Sequence, residues 1–306
     1  MKAGDFLLFG NNNYGYDHLI LDLKKISSLF NIELFSIGKS VLGRNIYCMK
    51  IGHGPVNVFY NGAHHALEWI TSPLLARFIY DTLTYYHGKK RLVSFDINDL
   101  FKKVTIHIAP MINPDGVEII TNDDFMQTPY HNKITLLNGN ENYRKTWQAN
   151  INGVDLNHNY DANFTYGKEM EIKNGIYGPA NTRYSGVFPE SEPETKAVCD
   201  YVRANNFSLV IALHSQGKVI YYDYNGHVPK NGYEIAKEMG NLSGYMPDKT
   251  TGFASFGGFK DWFIDKFDKP GYTIEVGSGK NPLGIYQFEE IYKDILPMLI
   301  CGAFLA

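Results

Sequence analysis

Four short runs of apolar residues most strongly limit what this 306-residue chain folds into. They read VNVFYNG, KVTIHIAP, SLVIALHS and PGYTIEVG. Nearly continuous apolar runs are typical of strands covered on both faces. Stretches with helical spacing, such as PLLARFIYDTLTYY and EPETKAVCDYVRANN, lie between them. This alternation predicts an α/β fold: a mixed, mostly parallel, twisted sheet with helices on both faces.

No low-complexity linker or internal repeat divides the chain. The segment DHLILDLKKISSLF predicts an early helix, and the apolar alternation of IELFSIGKSVLGRNIYCMKIG predicts a hairpin. We therefore expect one domain over residues 1–306, in which the helix and hairpin lead-in of residues 1–45 packs on the same core.

Polar residues follow the predicted strands at the point where each strand ends. In open α/β sheets, function gathers where strands end and loops begin. A buried strand that delivers a histidine or a carboxylate to an edge is unusual, and here several do so, which predicts one convergent site. The residues at these ends are His64, His65, Glu68, Asn113, Asp115, His214 and Glu275.

Two adjacent histidines, His64 and His65, precede Glu68. On a regular helix either histidine would share a face with Glu68, so spacing does not choose between them. Pro73 fits a first helical position and Ser72 is a natural N-cap, which predicts that the regular helix begins near residue 73. His65 and Glu68 are then expected on an irregular connection between strand and helix, and the choice of histidine stays open.

The formal net charge of −3 and the pI near 6.4 give no basic surface for nucleic acid or for an anionic membrane. The opening MKAGDFLLFG has four apolar residues in a row, too few for the core of a signal peptide. The closing ILPMLICGAFLA is broken by Pro297 and Gly302 and is shorter than the roughly 20 residues that span a bilayer, so we expect a terminal helix that faces the core.

Three cysteines, Cys48, Cys199 and Cys301, lie far apart in apolar or amphipathic surroundings. This spacing indicates neither a disulfide framework nor a thiolate zinc site, so all three are expected to be small buried residues. The predicted location is the cytoplasm, which includes the compartment of a forming spore. The oligomeric state is not predicted.

The segment HALEW after NGA, with a distant ALHSQG, resembles the His-x-x-Glu … His zinc signature of the carboxypeptidase A family of metallopeptidases. The motifs NPDGVE, ENYRKTW, GVDLNHNYDANF, SEPET and YTIEVG keep the order of that family, and the resemblance covers most of the chain. It implies the family's fold and one catalytic Zn²⁺ held by His65, Glu68 and His214, because the family's ligand is the histidine directly before the ALE segment.

The resemblance also implies chemical roles. Glu275 matches the general base and proton shuttle, and Arg144 matches the arginine that stabilises the tetrahedral oxyanion. Asp155 matches the carboxylate that orients the first zinc-binding histidine through its other ring nitrogen. Two imidazoles and one carboxylate leave a fourth coordination position open, as in catalytic zinc sites.

Two departures bear on the substrate. Exopeptidases of the family carry Asn-Arg where this chain has Asn157 and His158, and that arginine grips the free C-terminal carboxylate of the substrate. Histidine is a weaker, mostly neutral donor. Phe253 falls where carboxypeptidase A has a mobile tyrosine, so no hydroxyl covers the substrate there.

LNHNYDA, LHSQG and IEVGSGKNPL resemble the branch that cleaves bacterial peptidoglycan stem peptides between γ-D-glutamate and meso-diaminopimelate, the γ-D-glutamyl-diamino acid peptidases or endopeptidase I. Loss of the arginine clamp would let the substrate continue past the scissile bond. A peptidoglycan-derived peptide is therefore the expected partner. The candidates for binding it are Asn157, His158, Arg183, Gln216 and Phe253.

Two other functional classes compete with this hypothesis. One is a zinc carboxypeptidase or deglutamylase that acts on ordinary C-terminal residues, grouped with activity on N-acyl amino acids. The other is a binding module that only retains the scaffold. The intact set of His65, Glu68, His214, Arg144 and Glu275 argues against the binding module.

Overall fold

A computed structural model describes residues 13–139, 141–252 and 256–306. Within these ranges, eight strands form one sheet in the order β1-β2-β6-β3-β7-β10-β8-β9. β4 (Arg91–Leu92) and β5 (Phe95–Asp96) form a separate small hairpin. The strands of the large sheet are β1 (Leu34–Lys39), β2 (Asn45–Gly52), β3 (Val56–Gly62), β6 (Val104–Ala109), β7 (Phe207–His214), β8 (Val219–Tyr221), β9 (Met246–Asp248) and β10 (Gly271–Glu275).

The centre of the sheet is parallel. β6, β3, β7 and β10 run in one direction, whereas β1–β2, β2–β6 and β10–β8 pair antiparallel, and the outer β8–β9 pair is again parallel. The prediction of a mixed, mostly parallel sheet is confirmed. Parallel neighbours end at the same edge, so the last residues of β3, β7 and β10 lie side by side.

Helices cover both faces of the sheet, as predicted. The helices are α1 (Tyr16–Phe30), α2 (Thr71–His87), α3 (Ile97–Lys103), α4 (Pro114–Thr121), α5 (His131–Leu137), α6 (Tyr143–Thr146), α7 (Phe164–Lys173), α8 (Pro193–Ala204), α9 (Gly232–Ser243), α10 (Phe259–Phe267) and α11 (Phe288–Leu305). Apolar residues of α1, α2, α3, α4, α9 and α11 share one buried cluster, and those of α8 and α10 belong to a second.

The two clusters explain the continuous apolar runs. In β3, Val58 and Tyr60 belong to the first cluster and Phe59 between them to the second, because successive side chains of a strand point to opposite faces. A strand between two cores therefore needs an apolar residue at every position. The terminal helix α11 also faces the core, and the described residues contain no helix that is long and apolar enough to cross a bilayer. Cys48, Cys199 and Cys301 are buried and unpaired, as expected.

The start of α2 differs from the prediction. The helix begins at Thr71, two residues before the predicted start, and Ser72 does not cap it. Instead, the Thr71 hydroxyl accepts a hydrogen bond from the backbone amide of Ala63 at 2.8 Å and donates one to the carbonyl of Glu68 at 2.9 Å. Pro73 still lies in the first turn, where its missing N–H costs nothing.

Candidate metal centre and the adjoining cavity

The ends of three parallel strands bring the candidate site together. His214 ends β7 and Glu275 ends β10, and the two residues are direct neighbours in the register of the strand pair. A 3-10 turn, Ala66–Glu68, follows β3 and places His65 and Glu68 at the same edge. The irregular connection expected between strand and helix is confirmed.

His65, Glu68 and His214 form a cluster that can hold a metal ion. One donor atom from each lies within 4.8 Å of the others. The Glu68 carboxylate lies between the two imidazoles: Oε1 is 2.9 Å from Nδ1 of His65, and Oε2 is 2.9 Å from Nδ1 of His214. Burial opposes the charge of Glu68, but the two histidines lower its pKa to about 2. The donor set therefore contains an anionic oxygen and two converging imidazole nitrogens.

His64 points elsewhere. Its Nε2 is 2.8 Å from the hydroxyl of Tyr160, and its ring stacks on Phe259. Burial, followed by the nearby His214 and His65, holds the pKa of His64 well below its ordinary value. The structure therefore places His65, and not His64, among the converging donors.

Asp155 supports His65 from the far side of the ring. Its Oδ1 is 3.1 Å from Nε2 of His65, and its Oδ2 accepts a hydrogen bond from the backbone amide of Arg183 at 2.9 Å. Burial would raise the pKa of Asp155, but His65 and His158 outweigh burial and hold it far below its usual range. An anionic Asp155 accepts the Nε2 proton and thereby presents the Nδ1 lone pair to the cluster.

Glu275 is the remaining carboxylate at this edge. Burial first, and the neighbouring Glu68 second, raise its pKa to about 8. A bound divalent cation would lower this pKa, because positive charge favours the carboxylate form.

A cavity of about 110 Å³ adjoins the cluster. Two of the predicted substrate-binding residues, Asn157 and His158, line it together with His65, His214 and Glu275. Nδ1 of His158 is 2.9 Å from the carbonyl of Phe256. The side-chain oxygen of Asn157 accepts a hydrogen bond from the backbone amide of Phe259 at 3.0 Å.

The other three substrate-binding candidates do not line this cavity among the described residues. Arg183 and Gln216 are exposed, although the backbone of Arg183 contacts Asp155 and Gln216 lies two residues after His214. Phe253 lies outside the described residues.

A sequence model of the zinc carboxypeptidase family matches residues 23–298. This chain belongs to the zinc carboxypeptidase family. It is 35% identical over 300 residues to gamma-D-glutamyl-L-diamino acid endopeptidase 1 of Lysinibacillus sphaericus, a match that covers 98% of this chain and 74% of that protein. It is 34% identical over 296 residues to the uncharacterized protein YqgT of Bacillus subtilis, covering 96% of this chain and 78% of that protein.

Solved structures show the same fold. Bovine thrombin-activatable fibrinolysis inhibitor, in complex with tick carboxypeptidase inhibitor, superposes with a TM-score of 0.73 at 21% identity, covering 96% of this chain and 97% of that chain. The protein is accordingly a zinc metallopeptidase, a hydrolase that acts on peptide bonds. The donor set of His65, Glu68 and His214 fits the family's zinc ion, because two imidazoles and a carboxylate leave one position open for water.

In this zinc peptidase, the predicted oxyanion residue Arg144 is not among the described residues that line the cavity. Its guanidinium donates to the carbonyl of Asn122 at 2.8 Å and to Asp123 at 3.2 Å. Gln148, which the sequence did not single out, contacts the turn that carries Glu68. Its backbone carbonyl accepts a hydrogen bond from the amide of Ala66 at 2.9 Å, and its side-chain oxygen accepts one from the hydroxyl of Thr182.

Further cavity residues of the zinc peptidase were missed by the sequence reading. They are Tyr221, Thr250, Gly258, Lys260, Asp261 and Thr273. One signal was available: Lys260 and Asp261 are two adjacent charges between Phe259 and Trp262, in a helix that is otherwise apolar at its start. Charged residues are rarely buried without a partner or a function.

Proposed function

We propose that this zinc peptidase hydrolyses the amide bond between γ-D-glutamate and meso-diaminopimelate in peptidoglycan stem peptides. The observation that carries the proposal is the relative of 35% identity whose match covers 98% of this chain, because its name describes a γ-D-glutamyl-diamino acid endopeptidase. The replacement of the family's carboxylate-gripping arginine by His158 supports the same substrate.

The environment of His158 supports an endopeptidase in physical terms. Nδ1 of His158 is 2.9 Å from the Phe256 carbonyl, so the backbone occupies that ring nitrogen. Imidazole also lacks the planar, permanently charged fork with which a guanidinium binds a carboxylate through two hydrogen bonds. A substrate that continues beyond the released residue therefore meets no guanidinium clamp at this position.

The roles of the remaining residues follow from their positions. His65, Glu68 and His214 would hold the zinc ion, which when bound supplies Lewis-acid activation of the attacking water and of the scissile carbonyl. Asp155 keeps the His65 ring in the orientation that presents Nδ1. Glu275 takes the proton of the attacking water and returns it to the leaving nitrogen. Among the described residues that line the cavity, the other carboxylate belongs to Asp261, in the first turn of α10.

Arg144 is proposed to stabilise the oxyanion that forms at the scissile carbonyl. Its short helix α6 contacts the turn that carries Glu68. In the present arrangement the guanidinium is bound to Asn122 and Asp123, so the role requires the side chain to rotate toward the cavity when substrate binds. A guanidinium placed on developing negative charge lowers the barrier far more than one that already binds the ground state.

The proposal is tested by mass spectrometry of L-Ala-γ-D-Glu-meso-diaminopimelate incubated with zinc-loaded protein, with chelated protein and with Glu275→Gln. We expect zinc-dependent release of L-Ala-D-Glu that falls by about 10²–10⁴-fold in the variant, because the substituted amide does not accept the proton of water. Asp248→Asn, an exposed carboxylate change, is the matched control and keeps full activity.

The same assay also shows when the proposed substrate is wrong. If the wall peptide stays intact while an ordinary α-peptide loses its C-terminal residue, the protein is a carboxypeptidase and the proposed substrate is wrong. A set of peptides that all lose one residue at the C-terminus would also contradict the interpretation of His158.

A further inference from the structure

The loop that follows the proposed base Glu275 carries an asparagine that the proposed function does not use. Asn281 lies in the segment IEVGSGKNPL, and its side chain contacts Ser215, the residue directly after His214. The Ser215 hydroxyl donates a hydrogen bond to Oδ1 of Asn281 at 2.8 Å, and Nδ2 of Asn281 donates one to the Ser215 carbonyl at 2.6 Å. Asn281 therefore joins the loop after β10 to the loop after β7.

Ser215 in turn contacts a proposed zinc donor. Only 4% of Ser215 is exposed, and its backbone amide donates a hydrogen bond to Oε2 of Glu68 at 3.2 Å. The same carboxylate oxygen lies 2.9 Å from Nδ1 of His214. Hydrogen-bond partners of this kind orient the carboxylates that bind metal ions. The direction of the Ser215 amide therefore bears on the position of the Glu68 carboxylate.

The side chain of Asn281 controls that direction. A side-chain amide offers a donor and an acceptor side by side, so it binds both the hydroxyl and the carbonyl of Ser215. Two backbone hydrogen bonds also join the two loops, but Ser215 takes part in neither. They run from the amide of Val276 to the carbonyl of His214 at 2.8 Å and from the amide of Gly217 to the carbonyl of Gly277 at 3.0 Å.

We propose that Asn281 is a positioning residue of the zinc site, which acts through Ser215 to fix the Glu68 carboxylate in the orientation that binds the metal. The inference rests on the donor set of the proposed function and goes beyond it, because it assigns a role to a residue outside the cavity and the donors. It does not depend on which peptide the protein cleaves.

The same loop provides a matched control. Gln287 forms a reciprocal pair of hydrogen bonds with Ser278: the Ser278 amide donates to Oε1 of Gln287 at 3.3 Å, and Nε2 of Gln287 donates to the Ser278 carbonyl at 3.0 Å. Asn281→Leu and Gln287→Leu therefore each remove one side-chain amide and two hydrogen bonds from the loop. Asn281 contacts the residue that binds Glu68, whereas the contacts of Gln287 are to Ser278. General loosening of the loop would affect both variants alike.

Zinc affinity is measured by competition with a chelating dye, and the thermal midpoint of the chelated protein shows whether each variant is folded. We expect Asn281→Leu to raise the Kd for zinc by about 10-fold, the lower end of the effect of removing a direct partner of a metal ligand, because Asn281 acts through one intervening residue. Gln287→Leu should keep the wild-type affinity. The visible absorption of the cobalt-loaded protein, which depends on the geometry of the donors, should change in Asn281→Leu and not in Gln287→Leu.

Ser215→Ala tests the path from Asn281 to the metal. This substitution removes the hydroxyl and keeps the bond from Asn281 to the Ser215 carbonyl, so the Kd for zinc should rise by a smaller factor than in Asn281→Leu. The double variant should bind zinc as weakly as Asn281→Leu alone, because contacting residues that act as one unit are not additive. If Asn281→Leu does not fold, Ser215→Ala still decides: wild-type zinc affinity in this variant would overturn the proposal.

The inference and the proposed function fail differently. Equal zinc affinity in Asn281→Leu and Gln287→Leu would overturn the role of Asn281, and so would additive effects of Asn281→Leu and Ser215→Ala. If Glu68→Gln weakens zinc binding while Asn281→Leu does not, the inference alone is wrong. If Glu68→Gln leaves the zinc affinity unchanged, the donor set of the proposed function is wrong, and the role of Asn281 is wrong with it.

Discussion

At the scale of single residues, the donor cluster shows how much of a zinc site is already built by the protein. Glu68 contacts both histidines, and Asp155 accepts from the outer nitrogen of His65. The His65 ring is thus held from a second side, whereas Nε2 of His214 has no hydrogen-bond partner among the described residues. Such outer partners usually change metal affinity by about 10- to 100-fold.

Arg144 is the residue whose proposed role differs most from its observed contacts. We expect Arg144→Met to lower kcat by about 10²–10³-fold, the usual effect of removing one donor to an oxyanion. Its thermal midpoint should change little, because Asp123 is 80% exposed and surface ion pairs contribute about 0–1 kcal/mol. Kinetics and thermal unfolding of the same preparation give both quantities.

Asp123→Asn is the matched control for this prediction. It removes the ion pair and leaves the guanidinium in place, so activity should be kept. If Arg144→Met keeps its kcat and only loses stability, the role of Arg144 is to stabilise the segment that follows α4. Gln148 then becomes the first residue to test as a hydrogen-bond donor to the oxyanion.

At the scale of elements, the link from β3 to α2 decides where the first two zinc donors lie. Sequence patterns predicted both the strand and the helix, and also the irregular stretch between them. They did not predict that the Thr71 hydroxyl would form hydrogen bonds with both Ala63 and Glu68. These two bonds require a backbone conformation that the local propensities of the residues do not encode.

Thr71→Val tests this link. The substitution keeps the shape of the side chain, leaves the buried amide of Ala63 without an acceptor, and should cost about 1–3 kcal/mol of unfolding free energy. Because Glu68 then loses its fixed position, zinc should also bind more weakly. Urea unfolding and competition with a zinc-binding dye measure the two effects.

Thr84→Val provides the comparison on the same helix. The Thr84 hydroxyl bonds the carbonyl of Tyr80 at 2.8 Å, but at an exposed position. A loss of stability and zinc affinity in Thr71→Val no greater than in Thr84→Val would mean that the hydroxyl does not organise the zinc-binding turn.

At the scale of the whole molecule, the zinc donors join distant parts of the chain. His65 and Glu68 follow β3, His214 ends β7, and Asp155 precedes a 3-10 turn between them. A ligand that binds only the folded state stabilises it by RT ln(1 + [L]/Kd), about 4 kcal/mol at a thousandfold excess over Kd. Removal of zinc should therefore lower the thermal midpoint by several degrees.

Differential scanning calorimetry of the zinc-loaded and chelated protein measures this shift. In His65→Gln the shift should shrink strongly, whereas in His64→Gln it should persist, even if that variant starts from a lower midpoint because the Tyr160 contact is lost. A zinc-dependent shift that depends on His64 instead of His65 would contradict the assignment of the donors.

The sequence alone determined the fold class and predicted the residues proposed to carry the chemistry. Continuous apolar runs that alternate with helical stretches are typical of strands buried on both faces, and the motifs around His65, Glu68, His214 and Glu275 predict their chemistry by residue type and order. Three features were decided only by the tertiary structure. His65 and not His64 joins the converging donors, Arg144 binds Asp123, and one cavity is lined by Lys260, Asp261 and Thr250. The reason is physical: propensity and periodicity act over a few residues, whereas a side chain's direction and partners depend on elements that pack from elsewhere in the chain.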